Sequence, residues 1–359
     1  YYLITTNFNN QNFLANTDPQ INDLIQAEAK RQADTIRLIP SENYAPRAIM
    51  QAAGSLLTNK YSEGYPGARY YEGQSNIDQI ETLAIKRACE LFGAEHANVQ
   101  PYSGSPANLA AMFALLEPGD TIMGLNLSEG GHLTHGFKLN FSAKFFKSVA
   151  YTLDPKTETL DYDQIAELAK KHKPKMIIAG YTAYPREVDF AKFREIADSV
   201  GAYLLADISH INALVIAGLH SDPVPYADVV TTTTHKALRG PRGGLILCKK
   251  QHATKIDKAI MPGLQGGPHN HITAAKAVAF KLAQQDEFKT YAKAIVDNAK
   301  ALEKSLLEHN VRLVSGGTDT HLLIIDAMHS FNVNGRELAQ ALNKVGIVCN
   351  CNTIPFDPN

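Results

Sequence analysis

Lys175-Met-Ile-Ile-Ala-Gly-Tyr181 is an apolar run of strand length, and Ala202-Tyr-Leu-Leu-Ala206 is a second. Between them, Phe190–Val200 carries helical spacing, with Asp189 placed as an N-cap and Gly201 as a stop. Two apolar strands joined by one helix form a parallel pair covered on both faces. Working outward, residues 228–234 and 244–248 supply a third and a fourth strand. Upstream, residues 77–92 set Ile77, Ile80, Leu83, Ala84, Ala88 and Leu91 on one helical face, closed by Gly93. Residues 21–37 read as one amphipathic helix, and residues 1–20, rich in Asn and Gln, as a flexible lead-in. Residues 273–308 are helical throughout. Residues 321–326, 335–345 and 347–349 read strand, helix, strand, the start of a small α+β domain.

The chain has 359 residues, enough for two domains with a sizeable core. Lys plus Arg is 35 and Asp plus Glu is 36, a balance that argues against a nucleic-acid partner. No run reaches the ~18 apolar residues of a membrane span. The N-terminus lacks the basic and apolar regions of a signal peptide, and since it does not begin with Met a trimmed start is expected. Cysteines at 89, 248, 349 and 351 are too few for a disulfide scaffold, so a reducing cytoplasm is expected. Cys349 and Cys351 lack the second pair that a metal site needs and are read as two buried, inert thiols.

In open α/β sheets ligands gather beyond the carboxyl ends of the strands. There the sequence places Tyr181-Thr182-Ala-Tyr184, Asp207-Ile-Ser-His210 and Thr231-Thr-Thr-Thr-His235-Lys236. A partly desolvated Lys is an amine nucleophile. A Schiff-base Lys and a carboxylate for a ring nitrogen are what a pyridoxal phosphate cofactor asks of a protein. Ser103-Gly104-Ser105 opens a helix and offers backbone N–H groups to a phosphate. Gly263-Leu-Gln-Gly266-Gly267 is a second place where backbone can approach an anion closely. Residues 40–75 are irregular yet rich in tyrosine and fit an ordered functional loop.

The run Thr231-Thr-Thr-Thr-His-Lys-Ala-Leu-Arg-Gly-Pro-Arg-Gly-Gly244 resembles the cofactor-lysine segment of the serine hydroxymethyltransferase family. So do Leu57-Thr-Asn-Lys-Tyr-Ser-Glu-Gly-Tyr-Pro-Gly67, Ala97-Asn-Val-Gln-Pro-Tyr-Ser-Gly-Ser105, Gly130-Gly-His-Leu-Thr-His-Gly136 and Pro262-Gly-Leu-Gln-Gly-Gly-Pro268. The likeness runs from about Ile36 to the last residue.

The resemblance implies an α/β protein of the pyridoxal-phosphate-dependent transferase fold type I. That fold has a mostly parallel, seven-stranded-type sheet with helices on both faces, an N-terminal arm and a small α+β C-terminal domain. The corresponding boundaries are 1–67 for the arm, 68–290 for the large domain and 291–359 for an incomplete small domain. The implied reaction interconverts serine and glycine, with pyridoxal 5'-phosphate covalent at Lys236 and tetrahydrofolate as cosubstrate. The match pairs Asp207 with the ring nitrogen and His132 with the ring face. It places Thr182 and His210 near the cofactor 3-oxygen. Ser103, Gly104, Ser105, Thr233 and His235 match cofactor contacts, most of them to the phosphate. Tyr61, Gly266 and Gly267 match phosphate contacts donated by a neighbouring subunit, which implies a homodimer or a tetramer of such pairs. Glu63 matches the proton-transfer carboxylate, Tyr70 and Tyr71 tyrosines near the substrate, and Ser41 a substrate-carboxylate contact. Leu127, Gly131, Leu133 and Asn352 fall where the family holds the folate pterin. No metal is expected.

Departures from the family pattern are Glu129 for a His, Ala237 for a Thr, Asn212 for a small residue, and Cys349 and Cys351 for a Val and a Lys. The family also continues past Pro-Phe-Asp-Pro to an Arg that clamps the substrate carboxylate, so a longer natural chain is expected. Two rival readings are a folate-independent threonine aldolase-type enzyme and a catalytically silent homologue.

Overall fold

The computed structural model describes residues 13–357, and within them the chain divides into two compact units. One comprises residues 13–39 and 334–351; the other comprises residues 40–333 and 352–357.

The larger unit is built on a seven-stranded sheet. Its strands are β1 (His96–Asn98), β2 (Thr121–Leu125), β3 (Lys147–Tyr151), β4 (Met176–Gly180), β5 (Tyr203–Asp207), β6 (Val229–Thr233) and β7 (Gly244–Cys248). Their spatial order is β1-β7-β6-β5-β4-β2-β3. Strand β7 runs antiparallel to both neighbours, and the other pairings are parallel. Alternating side chains of each strand enter two separate cores. Met123, Ile177, Leu204 and Val230 pack on one face with helices α1 (Ser75–Phe92), α3 (Tyr162–His172), α4 (Phe190–Val200) and α5 (Asn270–Ala283). Ile122, Met176, Ile178, Leu205 and Val229 pack on the other face against α2 (Gly104–Leu115). Burial on both faces is why β4 to β7 read as continuous apolar or threonine runs.

The smaller unit has Phe13–Thr17, Pro19–Asp34 and Gly335–Lys344 as helices. Ile36–Arg37 pairs in parallel with Ile347–Val348. Asn334 and Glu337 form a reciprocal capping box at the start of its last helix.

Several expectations are corrected. Residues 13–17 and 19–20 are helical rather than a loose lead-in, and Asp18 between them caps the second helix by accepting from Ile21 N, with Pro19 at its first position; residues 1–12 lie outside the described residues. That helix ends at Asp34, short of Arg37, since residues 36–37 are drawn into strand pairing. The long helix over 273–308 is two helices, Asn270–Ala283 and Asp286–Glu308, parted at residues 284–285. Residues 321–326 form no strand; Ile325 makes only an isolated bridge to Leu313. Cys351 is exposed and Cys349 half-buried, so the pair is not buried.

Candidate active site

Asp207 is the last residue of β5, and its side chain is buried. Oδ1 accepts from Ser209 N at 3.0 Å and Ser209 Oγ at 2.6 Å. Oδ2 accepts from Asn108 Nδ2 at 2.8 Å and faces His135 Nε2 at 3.2 Å. Burial alone would raise this carboxyl; the hydrogen bond and charge of His135, with His132 and Lys236, hold it well below the usual carboxylate range. Asn108 on α2 is the hub. It also donates to Thr134 Oγ1 at 2.8 Å and accepts from Thr231 Oγ1 at 2.5 Å. Thr134 in turn bonds His132 Nδ1 at 2.7 Å, fixing that ring, and burial with the neighbouring His135 pushes the His132 imidazole down to about 4.

Lys236 follows the end of β6. Burial lowers its amine below the ordinary lysine value, Asp207 opposing this and Arg242 adding to it. One cavity, with an empty volume of about 590 Å³, collects Lys236, Asp207, His132, Thr182, His210, His235 and the Ser103–Ser105 turn. Tyr181, Ser209, Thr233 and Arg242 complete its lining.

The turn is the amino end of α2, where Ser103 does not cap the helix with its side chain. A Cβ on Gly104 would stand 2.7 Å from Thr233 Cγ2, so glycine is what lets the helix start meet the end of β6. Backbone N–H groups there are free to meet an anion. Gly243 N donates to His235 Nδ1 at 3.3 Å, and burial, then Arg242, push that imidazole to about 4. Thr182 N donates to Gly130 O at 2.8 Å, joining the loop after β4 to the loop that carries His132. His210 stacks on His321, ring centroids 5.8 Å apart, and burial drives His210 well below the ordinary histidine value.

Thr233 Oγ1 and His210 Nδ1 are buried without a hydrogen-bond partner among the described residues. Buried polar groups are nearly always paired, so two orphans in one cavity mark a place for a polar ligand. An anion-ready helix start, a depressed lysine and a buried carboxylate fit a phosphorylated aldehyde with a basic ring nitrogen. His132, His135 and Asp207 also bring ligand atoms within 4.8 Å of one another, as a metal could use. In this structure those atoms serve the hydrogen-bond network just described.

A second cluster lies on the tyrosine-rich loop. Tyr71 donates a short hydrogen bond to Glu63, which raises the Tyr71 phenol, and Tyr61 meets Tyr71 edge to face at 5.9 Å. A Cβ on Gly267 would lie 2.8 Å from the Tyr61 ring, and one on Gly266 would lie 3.0 Å from Glu63 Oε1. The loop is held by Arg69, which bonds the Ser62 and Gly64 carbonyls and Glu81, and by Asn270, which reaches Lys60 O and Ser62 Oγ. Tyr61, Glu63, Tyr71, Gly266 and Gly267 therefore stand together, and none of them lines the Lys236 cavity. Tyr70 is exposed and Ser41 half-buried. Leu127, Gly131 and Leu133 share one loop, where a Cβ on Gly131 would fall 2.1 Å from Leu125 O; Asn352 sits on a separate, exposed segment.

Sequence reading left Asn108, Thr134, His135, Ser209, Arg242 and His321 without roles. Thr134, His135, Ser209 and Arg242 lie inside motifs quoted above, and Asn108 lies three residues past one. The signal that could have found them is that a buried aspartate needs several donors. His321 had none, since its segment was read as a strand. Of the departures, Glu129 is buried and accepts from Leu153 N at 2.7 Å, bracing its loop. Asn212 donates to Thr232 Oγ1 and Thr233 O, each at 2.9 Å, tying the end of β6.

A mostly parallel seven-stranded sheet with a lysine, an aspartate and a phosphate-ready helix start at its strand ends defines a pyridoxal-phosphate-dependent transferase of fold type I. A family model described as serine hydroxymethyltransferase matches residues 14–359. The chain is also similar to a curated serine hydroxymethyltransferase of Sorangium cellulosum (strain So ce56), 59% identical over 345 residues, covering 96% of this chain and 81% of that one. The chain belongs to the serine hydroxymethyltransferase family. Enzymes of this family are transferases that use pyridoxal phosphate with tetrahydrofolate as cosubstrate. Neither the aldolase-type reading nor the silent-homologue reading is favoured by these matches. No helix among the described residues is long and apolar enough to cross a membrane.

Proposed function

We propose that the Lys236 cavity holds pyridoxal 5'-phosphate covalently and that the protein interconverts serine and glycine with tetrahydrofolate. One observation carries this reading: Lys236, Asp207, His132 and the Ser103–Ser105 helix start converge on a single cavity from separate segments. When bound, the cofactor supplies an electron sink for the amino-acid Cα. The depressed lysine leaves a larger share of neutral amine, the form that bonds to an aldehyde carbon. Asp207, held ionised chiefly by His135, would keep a ring nitrogen protonated. His132, neutral near pH 7, would meet a cationic ring without repelling it. Thr182 and His210 are assigned to the 3-oxygen, and Ser103, Gly104, Ser105, Thr233 and His235 to the phosphate end. Glu63 is assigned to moving the proton at the hydroxymethyl oxygen, with Tyr71 orienting its carboxylate. Ser41 is assigned to the substrate carboxylate, and Leu127, Gly131, Leu133 and Asn352 to the folate.

The grouping of Tyr61, Glu63, Tyr71, Gly266 and Gly267 outside the cavity lining supports a homodimer in which a partner's loop completes each site. We assign the same arm, large-domain and small-domain division that the family resemblance implies. Four free thiols support a reducing, cytoplasmic setting.

The test is absorbance of the purified protein with pyridoxal phosphate, then glycine, then tetrahydrofolate. A visible band that shifts strongly to the red only when folate joins glycine is the expected result. A band indifferent to both additions overturns the reaction assigned here.

A further inference from the structure

Lys276 on α5 is 1% exposed, yet it is a lysine in the middle of an apolar helix face. Its Nζ donates to Val99 O at 2.6 Å, Gly244 O at 2.8 Å and Pro101 O at 3.0 Å. Those three carbonyls account for all three ammonium protons. Burial pushes the amine down to about 7, with the charge of Glu81 working against this; the three carbonyl acceptors favour the ammonium, the only form with three protons to give. Burying a cation is costly unless its donors are satisfied, and here all three are.

It holds two pieces of chain that end in the cavity. Val99 and Pro101 lead into Ser103-Gly104-Ser105. Gly244 opens β7 directly after Gly243, whose N–H meets His235 and whose carbonyl accepts from Thr234 N at 3.0 Å. Gly244 N itself donates to Pro101 O at 3.0 Å, so the two pieces touch at the ammonium. Little room is left for side chains here. A Cβ on Gly243 would fall 2.5 Å from Lys276 Cε, and one on Gly244 would fall 2.3 Å from Ser103 O. A cation ringed by backbone carbonyls is the coordination that channels offer a bare monovalent ion.

We propose that Lys276 is a built-in cation that positions the two halves of the phosphate cup, Ser103–Ser105 and Thr233–His235, and so sets affinity for the phosphate group rather than for the ring. Lys276 is a positioning residue: it acts through backbone and touches no ligand. The inference rests on the reading of that cup as the phosphate site.

The experiment compares binding of pyridoxal 5'-phosphate with binding of pyridoxal, which lacks the phosphate, to the full chain and to Lys276→Met, with circular dichroism as the check on folding. In the unaltered protein the phosphorylated ligand binds more tightly. In Lys276→Met that preference falls by ~10-fold or more, the size expected for misplacing charge-assisted hydrogen bonds, while pyridoxal binding changes by no more than about twofold. Equal weakening of both ligands, or an unchanged preference, overturns the inference. No preference in the unaltered protein overturns the cup reading itself. If Lys276→Met does not fold, Gly243→Ala, which keeps the lysine and crowds its Cε, is read by the same ratio, and an unchanged ratio there overturns the inference.

Discussion

Asn108 Nδ2 donates to Asp207 Oδ2 at 2.8 Å across 99 residues of sequence. One side chain thereby ties the helix that Ser103–Ser105 opens to the carboxylate at the end of β5, the groups proposed above for the phosphate end and the ring nitrogen. Replacing it with Ala leaves Asp207, Thr134 and Thr231 each short of a buried partner. We expect Asn108→Ala to lower unfolding free energy by about 2–3 kcal/mol, the cost of buried polar groups left unsatisfied. Urea unfolding of the cofactor-free protein measures this, and a change within error would remove Asn108 from the hub.

Asp207→Asn keeps the shape of the site and removes the charge. Cofactor binding should survive while turnover falls by ~10²–10³-fold, the scale of losing a preorganised charge at the reacting centre. Comparing the visible absorbance of the loaded variant with its serine-to-glycine rate separates the two effects. Turnover near the unaltered level would show that the carboxylate is only structural.

Glu63→Gln should leave the absorbance of the bound cofactor unchanged and lower turnover by ~10²–10⁴-fold, the usual contribution of a positioned proton-transfer group. Tyr71→Phe removes the hydrogen bond to Glu63 and should cost less, about tenfold. Loss of cofactor binding in both variants, with turnover per bound cofactor intact, would instead assign this pair to loop packing.

The cofactor-free protein should weaken as pH falls from about 6.5 to about 4. His132, His235 and His321 are each pushed from 6.5 to about 4, chiefly by burial. Between those values the unfolded chain binds protons that the folded chain refuses, so stability rises with pH across the window and is lost on acidification, by at most about 1.4 kcal/mol per pH unit for each group. Asp207, depressed in the fold, adds loss of stability further down as it is forced to protonate. Urea midpoints at several pH values give the slope. His321→Phe, which keeps a ring against His210, should flatten it, and an unaltered slope would show that His321 does not titrate in the window.

Much of this was legible in the sequence, and the reason is local. Strands β4 to β7 are buried on both faces, so their apolar or threonine runs stand out, and the residues just after β4, β5 and β6 line the cavity. Strands β1 to β3 were not found. β1 has only three residues, β2 carries Gly124 among its five, and β3 is an edge strand with Lys147, Ser148 and Ala150 exposed. Asp207, Lys236 and the Ser103 turn could be read because each has a chemical reason to stand at a strand end or helix start. Asn108 and Lys276 could not, because their roles depend on partners far away in sequence that only the fold brings near. The separation of Tyr61, Glu63 and Tyr71 from the Lys236 cavity is likewise a property of the folded chain, although the resemblance pointed to a shared site.

The central claim is that Lys236 is the lysine that carries the cofactor. The purified protein is incubated with pyridoxal 5'-phosphate, reduced with borohydride to fix the cofactor to its lysine, digested, and read by mass spectrometry. The account predicts the added mass on Lys236, and its disappearance in Lys236→Arg. Stoichiometric labelling at any other lysine, or none at Lys236 in protein that shows the visible band, would contradict it.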